Sequence, residues 1–361
     1  MRAGAVPPGP SAYGTVRGSL RRWPVGWLCA VLCLLGAALV VFEFSAVIRV
    51  FPDLALLAFA LLLLTVVVGK AALARVRPFR DPPRGWAWSG VAWGASAATA
   101  CALVANDGLQ SIWDRAAGVG FGSRWGAALT APLNEELLKF SGVVLIAVVA
   151  RRLVRGPLDG FFLGAFTGLG FQVVENWTYA MNAILAGGGV NGVTEVTQSF
   201  TTRVLLTGLG SHWAMSAVAG TGAGVLFAHS DRPVRRRLAP AAACVLTAMG
   251  MHALFDAPVL DSAAGLGIKV AVNFLVAVGF YTVLRHRARR RARAFLMSER
   301  TPLSADLLTR RSRRRALERV APVRRPAAAA RATSYLDLVE ERAALDEAAP
   351  GQASDMNIIT K

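Results

Sequence analysis

Long apolar runs, interrupted by short polar breaks, dominate the first three-quarters of the chain. The runs cover about 25–48, 51–69, 86–106, 126–150, 160–184, 204–229, 240–258 and 266–284. A helix crosses the hydrocarbon core of a bilayer with about 20 such residues. The pattern therefore predicts an all-α polytopic membrane protein with about eight transmembrane helices. The first run is too long for a signal-peptide core and lacks a convincing small-residue cleavage site, so it reads as an uncleaved span.

The polar breaks predict the orientation. With the N-terminus inside, sixteen Lys and Arg residues fall in inner segments before the tail, among them Arg21, Arg22, Lys70, Arg151 and Arg236. Only Arg49, Arg115, Arg124, Arg203 and Lys269 fall in outer ones. Basic residues are retained on the cytoplasmic side, so both termini are expected in the cytoplasm. The chain then divides into a cytoplasmic lead, 1–24, an eight-span membrane domain, 25–285, and a cytoplasmic tail, 286–361. That tail begins with the basic string RHRARRRARAF, carries a second run at Arg310–Arg315 and ends acidic. It is expected to be disordered or partly helical, with a short amphipathic helix available over 334–349.

Composition adds one decision. A net charge of +18 invites a nucleic-acid reading, but the chain is 54% hydrophobic with 17% charged residues. Most of the basic excess flanks spans, where it sets orientation. No nucleic-acid partner is expected, whereas anionic lipid headgroups suit the basic tail, at about 1 kcal/mol per residue near the surface. Cys29, Cys33, Cys101 and Cys244 all lie in predicted spans, which indicates neither a disulfide framework nor a Cys metal site.

One apolar run, 126–150, contains the string Pro132-Leu133-Asn134-Glu135-Glu136-Leu137-Leu138-Lys139. Each charge near mid-bilayer costs about 2.5–3.5 kcal/mol even on lenient scales, so three in one span need partners. Glu135 and Glu136 stand four and three residues from Lys139, which puts all three on one helix face. The fifth span supplies Glu175, Asn176 and Tyr179 in GFQVVENWTY, after Gly156, Gly160, Gly164 and Gly168 at four-residue spacing. Such a stripe lets a neighbouring helix approach closely. The sixth supplies His212 in GLGSHWAMSA, and the seventh His252 and Asp256 in MHALFD. Counted from the outer ends at 1.5 Å per residue, Glu135 and Glu175 lie about 14 Å deep, His212 about 12 Å and His252 about 9 Å. His229 and His286 fall at the inner surface and in the basic tail and read as solvated.

Taken singly, each polar residue has a plainer reading, as an interhelical hydrogen-bond partner, a structural ion pair, or an orienter such as Asp256 for the His252 ring. Together, at one depth, they form a polar site in the outer half of the bilayer. A carboxylate beside histidines can activate water, while the histidines stabilise an oxyanion or hold a metal. That is what hydrolysis of a peptide bond in lipid requires. No Ser or Cys accompanies a histidine as a nucleophile would. A proton-coupled transporter is the rival from another class, since intramembrane Glu, Lys and His also build relays; no internal repeat of the kind many transporters have is evident.

The strings NEELLK, GLGFQVVENWTY, GSHWAMSA and MHALFD, in this order on four consecutive spans, resemble the PrsW family of intramembrane proteases, related to the CAAX-protease-like membrane peptidases. The resemblance covers about 126–258. It implies that Glu135, Glu136 and His212 are catalytic, with His252 and Asp256 at the fourth motif and Lys139, Glu175 and Asn176 in support. Where CAAX-type relatives have a histidine in the second motif this chain has Glu175, so no prenylated substrate is implied. Members are described both as metallopeptidases and as glutamic peptidases. The resemblance thus implies either a divalent metal such as zinc, held by Glu135, Glu136, His212 and His252, or a metal-free mechanism. It also implies a bacterial plasma-membrane location and site-one cleavage of a single-span substrate such as an anti-sigma factor. A non-catalytic relative that binds membrane partners would be favoured by loss of a motif residue, and all are present. The Gly-rich connection Leu185–Thr202 is expected as a loop covering the site.

Overall fold

The computed structural model describes residues 24–78, 84–150, 154–228, 233–298 and 310–330, with isolated positions from 332 to 339. The N-terminal lead, His229 and most of the acidic tail lie outside the described residues, as does all of 334–349 except 335, 336 and 339. The elements are α1 (Pro24–Glu43), a short α2 (Ser45–Val50), α3 (Pro52–Val76), α4 (Arg84–Trp93), a π turn (Gly94–Ala98) and α5 (Thr99–Ala117). Then come α6 (Val119–Val149), α7 (Pro157–Ala186), α8 (Gly192–Phe200), a second π turn (Thr201–Leu206), a 3-10 turn (Gly208–Gly210) and α9 (His212–Phe227). α10 (Val234–Asp256), α11 (Ala263–Ser298) and α12 (Arg310–Glu318) complete the set. No strand occurs among the described residues.

Six helical stretches are long and apolar enough to cross a membrane: α1, α3, the joined α4–α5, α7, α10 and α11. The other two expected spans correspond to α6 and α9. α6 falls short because Glu135, Glu136 and Lys139 interrupt it, and α9 because it has 16 residues. The two helices that depart from span composition are thus two of the four that carry the polar strings.

α7 is the hub. In its most apolar window 89% of residues are buried, against 17% for α1, whose Leu34, Leu35 and Phe42 face outward as lipid-exposed residues do. The glycine stripe explains how α7 is reached. A Cβ on Gly160 would fall on the Gly220 carbonyl, one on Gly164 on the Ser216 carbonyl, and one on Gly168 on the His212 carbonyl. α7 and α9 therefore touch backbone to backbone, which only glycine permits. On the opposite side Gly170 meets the Val91 carbonyl of α4 and Gly94 meets the Thr167 carbonyl. Asp159 at the start of α7 pairs with Arg77 at the end of α3, both buried.

Two expectations change. The sixth span does not run as one helix from 204. The chain makes a π turn and a 3-10 turn, and α9 begins at His212. Gly208 and Gly210 disfavour helix, and their freed carbonyls find donors. Trp213 Nε1 reaches Gly208 O at 3.0 Å and Asn273 Nδ2 reaches Gly210 O at 3.1 Å. Irregular backbone inside a membrane protein persists where it is buried and paired in this way. The connection Leu185–Thr202 is not structureless either. α8 occupies 192–200 and packs its buried Val196 beside α3 and the C-terminal half of α7. The residue that reaches the polar strings from this side is Arg203, in the π turn that follows. The basic start of the tail is also helical, as a continuation of α11 to Ser298, because Arg and Ala are among the strongest helix formers.

Candidate functional site

On α6, Pro132 removes one backbone hydrogen bond a turn before the glutamates, yet the helix continues and presents Glu135, Glu136 and Lys139 on one buried face. Lys139 Nζ lies 2.6 Å from Glu136 Oε1 and 3.6 Å from Glu135 Oε2. It also stands 3.0 Å from His212 Nδ1 and 4.3 Å from the centroid of the Phe171 ring. The three charges are 0–2% exposed, so each depends on the others. Removing Lys139, the one cation that both carboxylates share, would strand buried charge at a cost of about 3–5 kcal/mol.

The histidines arrive from α9 and α10. His212 opens α9, with Nε2 at 2.7 Å from Glu175 Oε2 of α7. Glu175 in turn accepts from Arg203 at 2.9 Å, while Arg203 Nε donates to Asn176 Oδ1 at 2.8 Å. The Arg203 guanidinium lies 3.5 Å from the centroid of the Tyr179 ring. His252 is held from both sides. Nδ1 is 3.0 Å from Glu136 Oε1, and Nε2 is 3.3 Å from Asp256 Oδ2 one turn on. The two imidazoles meet edge to face with centroids 5.1 Å apart. Every residue singled out on the four strings, Glu135, Glu136, Lys139, Glu175, Asn176, His212, His252 and Asp256, thus belongs to one contiguous network.

Glu135 differs from its neighbour. Its Oε1 accepts from Asn106 Nδ2 at 3.0 Å. Its Oε2 is buried with no hydrogen-bond partner, and it stands 3.9 Å from His212 Nδ1 and 3.8 Å from His252 Nε2. Glu136 instead spends Oε1 on Lys139 and His252, leaving its own Oε2 unpaired.

A family model described as PrsW family intramembrane metalloprotease matches residues 82–284, more than half of the chain. The chain belongs to this family. It is therefore a protease, a multi-pass membrane protein that acts on a membrane protein, and the family's description implies a divalent metal. The matched region is wider than 126–258. It takes in α4 and α5 ahead of the glutamates and the membrane part of α11 behind the histidines. No curated protein and no solved structure matches the chain.

The residues present fit such a metal. Glu135, His212 and His252 each offer a ligand atom, all within 4.8 Å of one another and all buried. Ligand atoms of a tetrahedral zinc, at about 2.0–2.2 Å from the ion, stand about 3.4 Å apart. The 3.8 and 3.9 Å separations around Glu135 Oε2 are about half an ångström wider, within reach of small side-chain shifts. An orphaned buried carboxylate oxygen facing two imidazoles is the donor chemistry a divalent ion selects. Glu136, committed to His252 Nδ1, occupies the place of the carboxylate that commonly orients a metal-binding histidine.

Several contributors escaped the sequence reading. Asn106 of α5, the last residue of the run 86–106, was not among the residues singled out. Arg203 and Lys269 looked like outer rim charges. Lys269 in fact donates to Ala257 O at 2.6 Å, capping the end of α10 just beyond Asp256. Asn273, fully buried on α11, gives one proton to Gly210 O and the other to Met251 O, each at 3.1 Å. It ties the turn before His212 to the residue before His252. For Asn106, Lys269 and Asn273 a polar residue inside an apolar run was the available signal, and for Arg203 a charge just ahead of one, but nothing in the spacing named the partners.

Proposed function

We propose that this protease hydrolyses a peptide bond of a single-span membrane protein near the external end of its span. Glu135, His212 and His252 would hold a divalent ion, and Glu136 would be the general base. The observation that supports this most is the buried Glu135 Oε2, which has no hydrogen-bond partner and stands between two histidine nitrogens. A divalent ion held there would supply Lewis acidity for activating water and a scissile carbonyl. Glu136, anchored through Oε1 by Lys139 and His252, accepts the water's proton at its free Oε2 and returns it to the leaving amine. Lys139 balances the charge of that carboxylate at 2.6 Å and faces developing negative charge. Glu175, steadied by Arg203 and Asn176, fixes the ring of His212 through Nε2, and Glu136 fixes that of His252 through Nδ1, with Asp256 beside the Nε2 edge.

In this reading α6 and α9 join the six apolar stretches as spans, giving eight with both termini cytoplasmic and the site in the outer half of the membrane. The basic excess in inner segments supports it. Reporter fusions after Arg115, Gly188 and Ser262 are expected to read as external, and those after Arg80, Arg152 and Arg236 as internal; a reproducible inversion at any of these would overturn the topology. The location is the bacterial plasma membrane, the substrate class includes anchored anti-sigma factors, and the basic tail rests on anionic headgroups.

Reconstitution with candidate single-span substrates tests the reaction. The wild-type chain should release two fragments, and Glu136→Gln none. Mass spectrometry of the new termini should place the cut on the external side of the substrate's midpoint. A cut nearer the cytoplasm would require about 10 Å more of the substrate helix to unwind, with unpaired backbone groups costing several kcal/mol each. Such a cut would overturn the outer-half assignment, and full activity of Glu136→Gln would remove it as the base.

A further inference from the structure

We propose that Asn106 is a positioning residue for Glu135, holding one carboxylate oxygen so that the other faces the two histidines. The inference rests on the metal reading of the Glu135 site and extends it to α5, a helix outside the four strings.

The hydrogen-bond chain is directional. Asn134 Nδ2 donates to Asn106 Oδ1 at 2.7 Å, and Asn106 Nδ2 donates to Glu135 Oε1 at 3.0 Å. An ionised carboxylate only accepts. With the Asn106 oxygen already taken by Asn134, its NH2 group has to face Glu135, and the amide cannot flip without losing both bonds. Glu135 Oε1 is thereby fixed, and Oε2 is turned toward His212 Nδ1 and His252 Nε2.

A tether is needed because the alternative is close. The terminal torsion of a glutamate is soft and broad. Lys139 Nζ is already ion-paired with Glu135 Oε2 at 3.6 Å, near enough for a small rotation to tighten this contact into a hydrogen bond. That rotation would direct the carboxylate at the ammonium rather than at the histidines. Asn106 holds the carboxylate by its other oxygen, Oε1. Outer partners of this kind are commonly worth about 10–100-fold in metal affinity.

The test is Co2+ and Zn2+ titration of the full chain, stripped of metal in detergent, with the Co2+ visible spectrum as readout. Asn106→Leu, which keeps the branched shape and removes both hydrogen-bonding groups, should weaken binding about 10–100-fold. Its proteolysis should recover as free metal is raised. Asn134→Ala, acting only through Asn106, should weaken binding in the same direction by less. In a Glu135→Gln background neither change should matter further, because the oxygen they position no longer ligates. Wild-type affinity in Asn106→Leu overturns the inference alone, as does an equal loss in the Glu135→Gln background. A wild-type chain that takes up no divalent ion overturns the metal reading and this inference with it. Should Asn106→Leu not fold, Asn134→Ala decides. A weakened affinity that vanishes in Glu135→Gln supports the tether, and an unchanged one overturns it.

Discussion

Glu135→Gln is expected to lower proteolysis by about 10³-fold or more, close to 4 kcal/mol of transition-state stabilisation, while the protein inserts and folds as before. The substitution is nearly isosteric, so no cavity opens around a side chain that is 2% exposed. The hydrogen bond from Asn106 survives, since the amide oxygen can replace Oε1 as acceptor. Lys139 is not stranded either, because its shorter contact is the 2.6 Å one to Glu136. What disappears is the charged oxygen between His212 and His252, the carboxylate oxygen of Glu135 that has no hydrogen-bond partner. Cleavage of a reconstituted substrate, with thermal unfolding of the same sample, separates these effects. A variant with wild-type turnover would remove Glu135 from the reaction, and one that fails to fold would mark it as a structural ion-pair partner.

The helical class and the four polar strings were legible because their physics is local. Long apolar runs can be read residue by residue, and spacings of three and four place Glu135, Glu136 and Lys139, or His252 and Asp256, on one face whatever surrounds them. The stripe from Gly156 to Gly168 was legible for the same reason, as was its use for close approach, although the sequence did not name α9 as the partner. Contacts between distant parts of the chain were harder to read. Asn106 meets Glu135 only because α5 folds back along α6. Asn273 bridges Gly210 and Met251 only because α11 lies against both histidine-bearing segments.

The start of α9 at His212 was hidden for a different reason. The run 204–229 is apolar enough to be helical throughout, and only burial of Gly208 and Gly210, with Trp213 and Asn273 ready to take their carbonyls, makes the break affordable. The consequence is functional. His212 sits at a helix end whose position is set by the preceding turn and by the glycine contact behind it, so its placement depends on packing from two sides.

The second large effect follows from that contact: Gly164→Leu is expected to reduce proteolysis by about 10²-fold or more and to lower thermal stability. A Cβ at Gly164 would coincide with the Ser216 carbonyl, and Gly220 backs the same spot. The obstruction is backbone, which cannot rotate aside as a side chain would. α7 and α9 must separate, and overpacking of this kind costs about 1–3 kcal/mol or more. The separation propagates to the site, because Gly168, one turn along, supports the His212 carbonyl. The 2.7 Å contact between His212 and Glu175 spans the same two helices. A misplacement of about 1 Å in a catalytic group can cost about 10²-fold. Gly250→Leu on α10 is the matched control, since a Cβ there meets nothing within 4 Å, and it should leave both cleavage and stability near wild type. If Gly164→Leu cleaves as fast as Gly250→Leu, the glycine stripe does not set the geometry of the site, and His212 must be held by the turn before it alone.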